Sequence, residues 1–176
     1  MLEMTDEGRA RWIRWSRRLR FVPRWAVMPT ITKQNVAEHS YHVAQTCRWL
    51  IPRHENFRSH TFALEVIELA LDHDLDEALS GDIPAPYKKT KEWDSASEAV
   101  KLVGLADVME AMAFLNEERY MGNKTTEPVL HDLARKYVKR HRAIRWRTNG
   151  EGEIETWLAY RAQIRTDLHP ALEDTE

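Results

Sequence analysis

Apolar positions recur at three- and four-residue intervals along nearly the whole chain, the spacing that lines one face of an α-helix. Trp12, Trp15 and Leu19 predict an opening helix that ends before Pro23, because proline pushes the residue ahead of it out of the helical region. Arg24 to Lys33, with Pro29 and alternating threonines, breaks the pattern and predicts a loop. Asn35 then stands as a helix N-cap with Glu38 three residues on, the layout of a capping box. Val36, Val43, Ala44, Cys47 and Leu50 carry an apolar face forward until Pro52. The next helix is predicted from about 61 to 72 on Ala63, Val66, Ile67 and Ala70, and it delivers His73 and Asp74 at or near its C-terminal end. Ser80-Gly81-Asp82-Ile83-Pro84-Ala85-Pro86 reads as a turn-rich loop whose prolines forbid a continuing helix. Helical spacing resumes from about 95 to 120, and two more helices are predicted near 127–146 and 153–168. Strand-like alternation is scarce and no internal repeat appears, so one all-α domain over 1–176 is the economical architecture.

Composition narrows this only a little. With 176 residues, 43% hydrophobic and 31% charged, the chain suffices for one sizeable core and is short for two. No apolar run approaches the roughly 20 residues that span a bilayer. The arginine-rich N-terminus lacks the apolar core and small-residue cleavage site of a secretory signal. One cysteine, Cys47, excludes an intrachain disulfide framework and a cysteine-based zinc cage, and the cytoplasm is the expected compartment. The formal charge of -2 is unevenly spread: seven arginines lie before or at Arg24, and Arg135 to Arg147 is basic, while the C-terminal tail is acidic. Solvated helix faces are the plain reading of the basic stretches. Attraction of phosphate or nucleic acid is the alternative, and it predicts a steep salt dependence of binding.

Candidate chemistry centres on His73-Asp74, with His39 well upstream and Asp107 well downstream. Two imidazoles and two carboxylates can close around one divalent ion such as Mn, Fe, Co, Ni or Zn while leaving positions open for water. An ion with an open position makes a nucleophile of its water at neutral pH, which points to a hydrolase. Singly, each residue has a plainer reading; a helical His39 is commonly just hydrogen-bonded. Asp74 near a helix C-terminus opposes the macrodipole, a mismatch that a bound cation offsets. Asp107 is flanked by Leu105, Ala106, Val108 and Met109, where a charged carboxylate must be paired or metal-bound. His42 is an alternative ligand, against a role in packing.

More acids surround this core. Glu77 follows His73 by four, so a continuing helix sets them on one face. Glu77 or Asp82 can serve as general acid or base near the metal, or bind a second ion that travels with a phosphorylated substrate. Asp72 and Asp76 read as solvated surface charges. Arg24 can grip phosphate and Trp25 can stack on a base, although any tryptophan is also a core candidate. Lys88, Lys89 and Lys91 can supply charge for a polyphosphate, or be ordinary loop lysines.

Together, Arg24-Trp25, Asn35-Val36-Ala37-Glu38-His39-Ser40, His73-Asp74-Leu75-Asp76-Glu77-Ala78 and Ser80-Gly81-Asp82-Ile83-Pro84-Ala85-Pro86 resemble the HD-domain metal-dependent phosphohydrolases. The resemblance is to their bacterial 5'-deoxynucleotidase branch and to phage relatives that act as dATP triphosphohydrolases. It covers 24–115, about half the chain. It implies a compact α-helical HD bundle, usually a homo-oligomer, in the cytoplasm or in the host cytoplasm if phage-encoded. It further implies that His39, His73, Asp74 and Asp107 bind a divalent ion (Co, Mn, Zn, Fe or Mg), with a second ion arriving with substrate. By the same resemblance Glu77 is the acid/base residue with Asp82 beside it, and Arg24 grips phosphate. Trp25, Val27 and Pro86 line the base and sugar pocket; Lys88 is a substrate-binding candidate on its charge alone. The implied activity releases deoxynucleoside from a deoxynucleotide, with a dNTP such as dATP as first substrate and a dNMP as the alternative. A non-catalytic module that binds nucleotides or nucleic acid is the reading from another class; neither nucleic acid nor membrane is otherwise an expected partner. The chain departs from the bacterial pattern in its shorter Asp82–Asp107 stretch and in Gly104, where relatives often carry lysine. Phe114-Leu115-Asn116-Glu117-Glu118 is more similar to the phage members.

Overall fold

The computed structural model describes residues 5–82 and 96–147. The helix expected near 153–168, together with Pro86, Lys88, Lys89 and Lys91, lies outside the described residues. Helix α1 spans Asp6–Arg18, opened by Thr5, whose side chain accepts from the Gly8 amide. Acids in its first turn and arginines in its last suit the helix dipole. None of its residues is buried; the Trp12 indole ties it to Asp72 by a 3.0 Å bond to Oδ2. A short 3-10 turn at Leu19–Phe21 then ends before Pro23, as the proline requires.

The loop that follows is closed at its base. Arg24 N donates to Gln34 O at 2.9 Å and Val36 N to Val22 O at 3.0 Å, around an isolated bridge between Pro23 and Asn35. Helix α2, Val36–Leu50, begins with the expected capping box: Asn35 caps the Glu38 amide while the Glu38 carboxylate accepts from Asn35 N. Helix α3 is His60–Asp72, α4 the single turn Glu77–Ser80, α5 Glu98–Tyr120 and α6 Glu127–Arg142. Helix α6 stops four residues short of the predicted 146, for a reason of pairing. Glu55 N donates to Arg145 O and Arg147 N to Arg53 O, both at 2.9 Å, and this pairing takes residues 145–147 out of the helix.

Helices α2, α3, α5 and α6 share one apolar core. Val43, Cys47, Leu50, Val66, Ala70, Leu102, Leu105, Ala106, Leu115, Ala134 and Tyr137 in it are fully enclosed. Helix α5 is the central element, buried on most of its circumference, which is why its apolar positions do not form a single stripe. Burial first, and the nearby Asp107 charge second, push the Cys47 thiol up to about 12, so it packs as a small apolar group. No strand occurs among the described residues. No helix among them is long and apolar enough to cross a membrane.

One buried carboxylate fixes the loop ahead of α2. Glu118, 0% exposed, accepts from Ile31 N at 2.6 Å, Thr32 N at 2.7 Å, Thr32 Oγ1 at 2.6 Å and Asn123 Nδ2 at 2.9 Å. Burial alone raises its pKa, but the bonds from Thr32, Asn123 and Ile31 outweigh this and hold it at about 2, against an ordinary 4.5. A depressed carboxylate stabilises the fold fully above its unfolded pKa and loses that contribution as pH falls toward the folded value. Denaturant midpoints measured from neutral pH downward are therefore expected to drop between 4.5 and about 2, and Glu118→Gln to flatten that drop. At neutral pH the same variant is expected to cost about 1–3 kcal/mol, the penalty for buried donors that lose their acceptor.

Candidate metal centre

Three helices converge on one point. The first turn of α2 turns His39 inward to 0% exposure. His73 is the C-cap of α3, where its Nδ1 donates to the Ala70 carbonyl at 2.8 Å. Asp74 follows in the turn and is buried, and Asp107 projects from the middle of α5. His39 Nε2 lies 3.2 Å from His73 Nε2, 3.3 Å from Asp107 Oδ1 and 3.7 Å from Asp74 Oδ2. His73 Nε2 is 3.3 Å from the same Asp74 oxygen. His39, His73 and Asp107 offer donor atoms that all lie within 4.8 Å of one another, and Asp74 stands among them.

These residues fit a divalent ion. Donors bound at about 2.1 Å in a tetrahedron stand about 3.4 Å apart, close to the separations found. Both histidines engage Nδ1 elsewhere, with Ala70 O and with the Glu110 carboxylate, so both aim Nε2 lone pairs inward. Two lone pairs and two carboxylates facing one another require positive charge between them. Proton affinities report the same field. Burial lowers His73, but the hydrogen bond and charge of Asp74, then Asp107, carry it net upward. Burial opposes the Asp107 charge, yet His39, His73 and Arg24 hold that carboxyl well below the usual range.

Arg24 reaches the rim from the loop before α2. Its side chain is 11% exposed, with Nη1 3.9 Å from Asp74 Oδ2. Nε and Nη1 are buried without a hydrogen-bond acceptor among the described residues. Trp25 has φ +61°, the one positive φ at a non-glycine among the described residues, a conformation that costs energy and needs support. Asp82 supports it by accepting from Trp25 N at 3.0 Å. The indole stacks on Phe114 at 5.8 Å with 4° between planes. Val27 is in the same loop, 79% exposed.

The other expected residues depart from the sequence reading at Glu77 and at Asp72. Helix α3 ends at Asp72, and tight turns (Leu75 N to Asp72 O and Glu77 N to Asp74 O, both 3.0 Å) separate it from α4. His73 and Glu77 therefore do not share a helical face. Glu77 is nonetheless buried at the start of α4. His42 is exposed and packs edge-on to Tyr41 at 5.4 Å, and it is not among the clustered donors. Asp72 binds the Trp12 indole rather than standing in solvent, whereas Asp76 is exposed.

Three residues near the centre escaped sequence reasoning. Glu110 lies against His39 Nδ1, and Gln34 donates to Glu110 Oε1 at 2.6 Å. Arg140 of α6 donates to the Gly104 carbonyl and lies 3.5 Å from Asp107 Oδ2. A signal existed for Glu110, three residues after Asp107 and so on the same face of α5.

The family described as 5'-deoxynucleotidase YfbR-like matches residues 11–93. A 5'-deoxynucleotidase of Pasteurella multocida is 30% identical over 133 residues, covering 69% of this chain and 68% of that protein. One from Vibrio vulnificus is 38% identical over 72 residues, 40% of this chain and 37% of the relative. Among solved structures, the HD phosphohydrolase DatZ of cyanophage S-2L, bound to dA and one catalytic Zn2+ ion, superposes with TM-score 0.65 at 23% identity. That match covers 86% of this chain and 95% of DatZ. An HD-domain phosphohydrolase from Listeria innocua gives TM-score 0.68 at 16% identity, covering 95% and 98%. At such identities the structural likeness establishes the fold, and the Pasteurella relative establishes the family. The chain is an HD-fold phosphohydrolase that belongs to the YfbR-like 5'-deoxynucleotidase family.

Proposed function

We propose that this phosphohydrolase requires a divalent metal and cleaves deoxynucleotides at the 5'-phosphate, releasing the deoxynucleoside. The observation that carries the reading is the four-donor cluster of His39, His73, Asp74 and Asp107 beside the two unaccepted, buried Arg24 donors. An ion seated there supplies an activated water at neutral pH and neutralises charge on a phosphoryl oxygen. Arg24 offers Nε and Nη1 to the phosphoryl oxygens, where a planar fork fits better than a point charge. Trp25, half-buried and backed by Phe114, is the aromatic surface for the base. Asp82 keeps Trp25 in its left-handed conformation. Glu77, buried one turn beyond Asp74, is the proton donor to the departing 5'-oxygen. The names of the relatives and the dA and Zn2+ bound by DatZ agree with this reading.

Of the two substrates that the sequence leads one to expect, the monophosphate has the support of the relatives' names. The triphosphate has that of Lys88 and its neighbours in sequence. Chromatography of dAMP and dATP incubations with Mn2+ or Co2+ separates them. Deoxyadenosine with phosphate from dAMP alone is the expected result. Deoxyadenosine with intact triphosphate from dATP would assign the chain to the second substrate.

A further inference from the structure

Behind the metal-facing side of His39 runs a buried polar relay. Its Nδ1 meets Glu110 Oε2, Glu110 Oε1 accepts from Gln34 Nε2 at 2.6 Å, and Gln34 Oε1 accepts from Trp25 Nε1 at 3.1 Å. Glu110 and Gln34 are 6% and 8% exposed, so solvent does not replace these bonds cheaply. With Glu110 as a carboxylate, one assignment of donors satisfies the relay. An indole N–H can only donate, so Gln34 turns its oxygen to Trp25 and its amide nitrogen to Glu110. Glu110 then accepts from both neighbours, and His39 carries its proton on Nδ1.

We propose that Glu110 and Gln34 are positioning residues that couple metal loading to nucleotide binding. Their relay joins the two ends of the proposed site, a metal ligand and the base-stacking Trp25, whose strained backbone needs outside support. An ion on His39 Nε2 polarises the ring and strengthens its N–H bond to Glu110. That bond holds Gln34, and Gln34 fixes the indole against which the base stacks. Thermodynamic linkage makes the effect reciprocal: a bound nucleoside tightens the metal by the factor by which metal tightens the nucleoside.

The inference rests on the metal and base-stacking reading above, and its test separates the two. Mn2+ affinity of the full chain is measured by calorimetry with and without deoxyadenosine, a probe that needs no turnover. The wild type is expected to bind Mn2+ at least about 5-fold more tightly with deoxyadenosine present. Glu110→Gln is expected to lose about 10–100-fold in Mn2+ affinity. Gln34→Leu keeps the His39–Glu110 bond, so it is expected to retain Mn2+ affinity within a few-fold while the deoxyadenosine effect disappears. Trp25→Phe, which deletes the indole N–H, gives the same loss of coupling even if the buried variants fold poorly. Wild-type Mn2+ binding with Glu110→Gln unchanged, or with coupling intact in Gln34→Leu and Trp25→Phe, would overturn the relay alone. No Mn2+ binding by the wild type would overturn the metal centre and the relay with it.

Discussion

Asp107→Asn is expected to lower kcat by at least about 10³-fold, the scale on which loss of a charge-stabilising group at a reacting phosphate acts. The substitution keeps shape and removes charge. Asp107 Oδ1 is 3.3 Å from His39 Nε2 and Oδ2 is 3.5 Å from Arg140 Nη1, so one oxygen faces the ligand cluster and the other a guanidinium. An amide at this position weakens the field that favours a cation and removes the carboxylate beside Arg140. Thermal unfolding distinguishes this from damage to the fold. Saturating Mn2+ is expected to raise the wild-type melting temperature by several degrees, since ligand at about 100 Kd adds about 2.7 kcal/mol. Asp107→Asn is expected to melt normally without metal and to lose that rise. A variant that keeps both the rise and the turnover would remove Asp107 from the ligand set.

The second large effect belongs to Arg24. Among the described residues its Nε and Nη1 are buried without acceptors, and an Asp74 carboxylate oxygen lies 3.9 Å from Nη1. A guanidinium held this way gains most when a phosphoryl group arrives. Arg24→Ala is expected to reduce kcat/KM about 10²–10³-fold, or about 3–4 kcal/mol. Arg24→Lys is expected to recover little, because an ammonium cannot reproduce the two-point contact. Deoxyadenosine, which has no phosphate, is expected to bind both variants nearly as it binds the wild type. Steady-state kinetics with dAMP, set beside deoxyadenosine binding, checks both statements. Equal loss of nucleoside and nucleotide binding would make Arg24 a support for Trp25, over whose ring its guanidinium lies at 5.4 Å.

Local chemistry was the readable part of this chain. Asn35 with Glu38 announced the start of α2, and prolines at 23 and 52 marked the ends of helical stretches, because caps and proline act within a few residues. The candidate metal ligands were legible as chemistry, since two imidazoles and two carboxylates can close around one ion and Asp107 lies between apolar neighbours. What the sequence hid is set by packing between distant elements. Gln34 and Glu110 meet only because the start of α2 packs against α5, and Arg140 reaches Asp107 only because α6 packs against α5. The end of α3 at Asp72 was legible, whereas the tight turns that follow it were not. No glycine or proline follows Asp72 directly, and the helix stops where His73 bonds Ala70 and the next amides close tight turns. The left-handed backbone of Trp25 had no signal, because tryptophan is not a residue that normally adopts it.

On the reading proposed above, His39, His73, Asp74 and Asp107 hold a divalent ion that serves deoxynucleotide hydrolysis. The most direct test takes chain stripped with a chelator, adds dAMP or dATP with and without Mn2+, Co2+ or Zn2+, and quantifies deoxyadenosine by chromatography. Deoxyadenosine is expected only when an ion is restored, and not with Asp107→Asn. Release of deoxyadenosine from the stripped protein, or no release from either nucleotide with any of the ions, would contradict it.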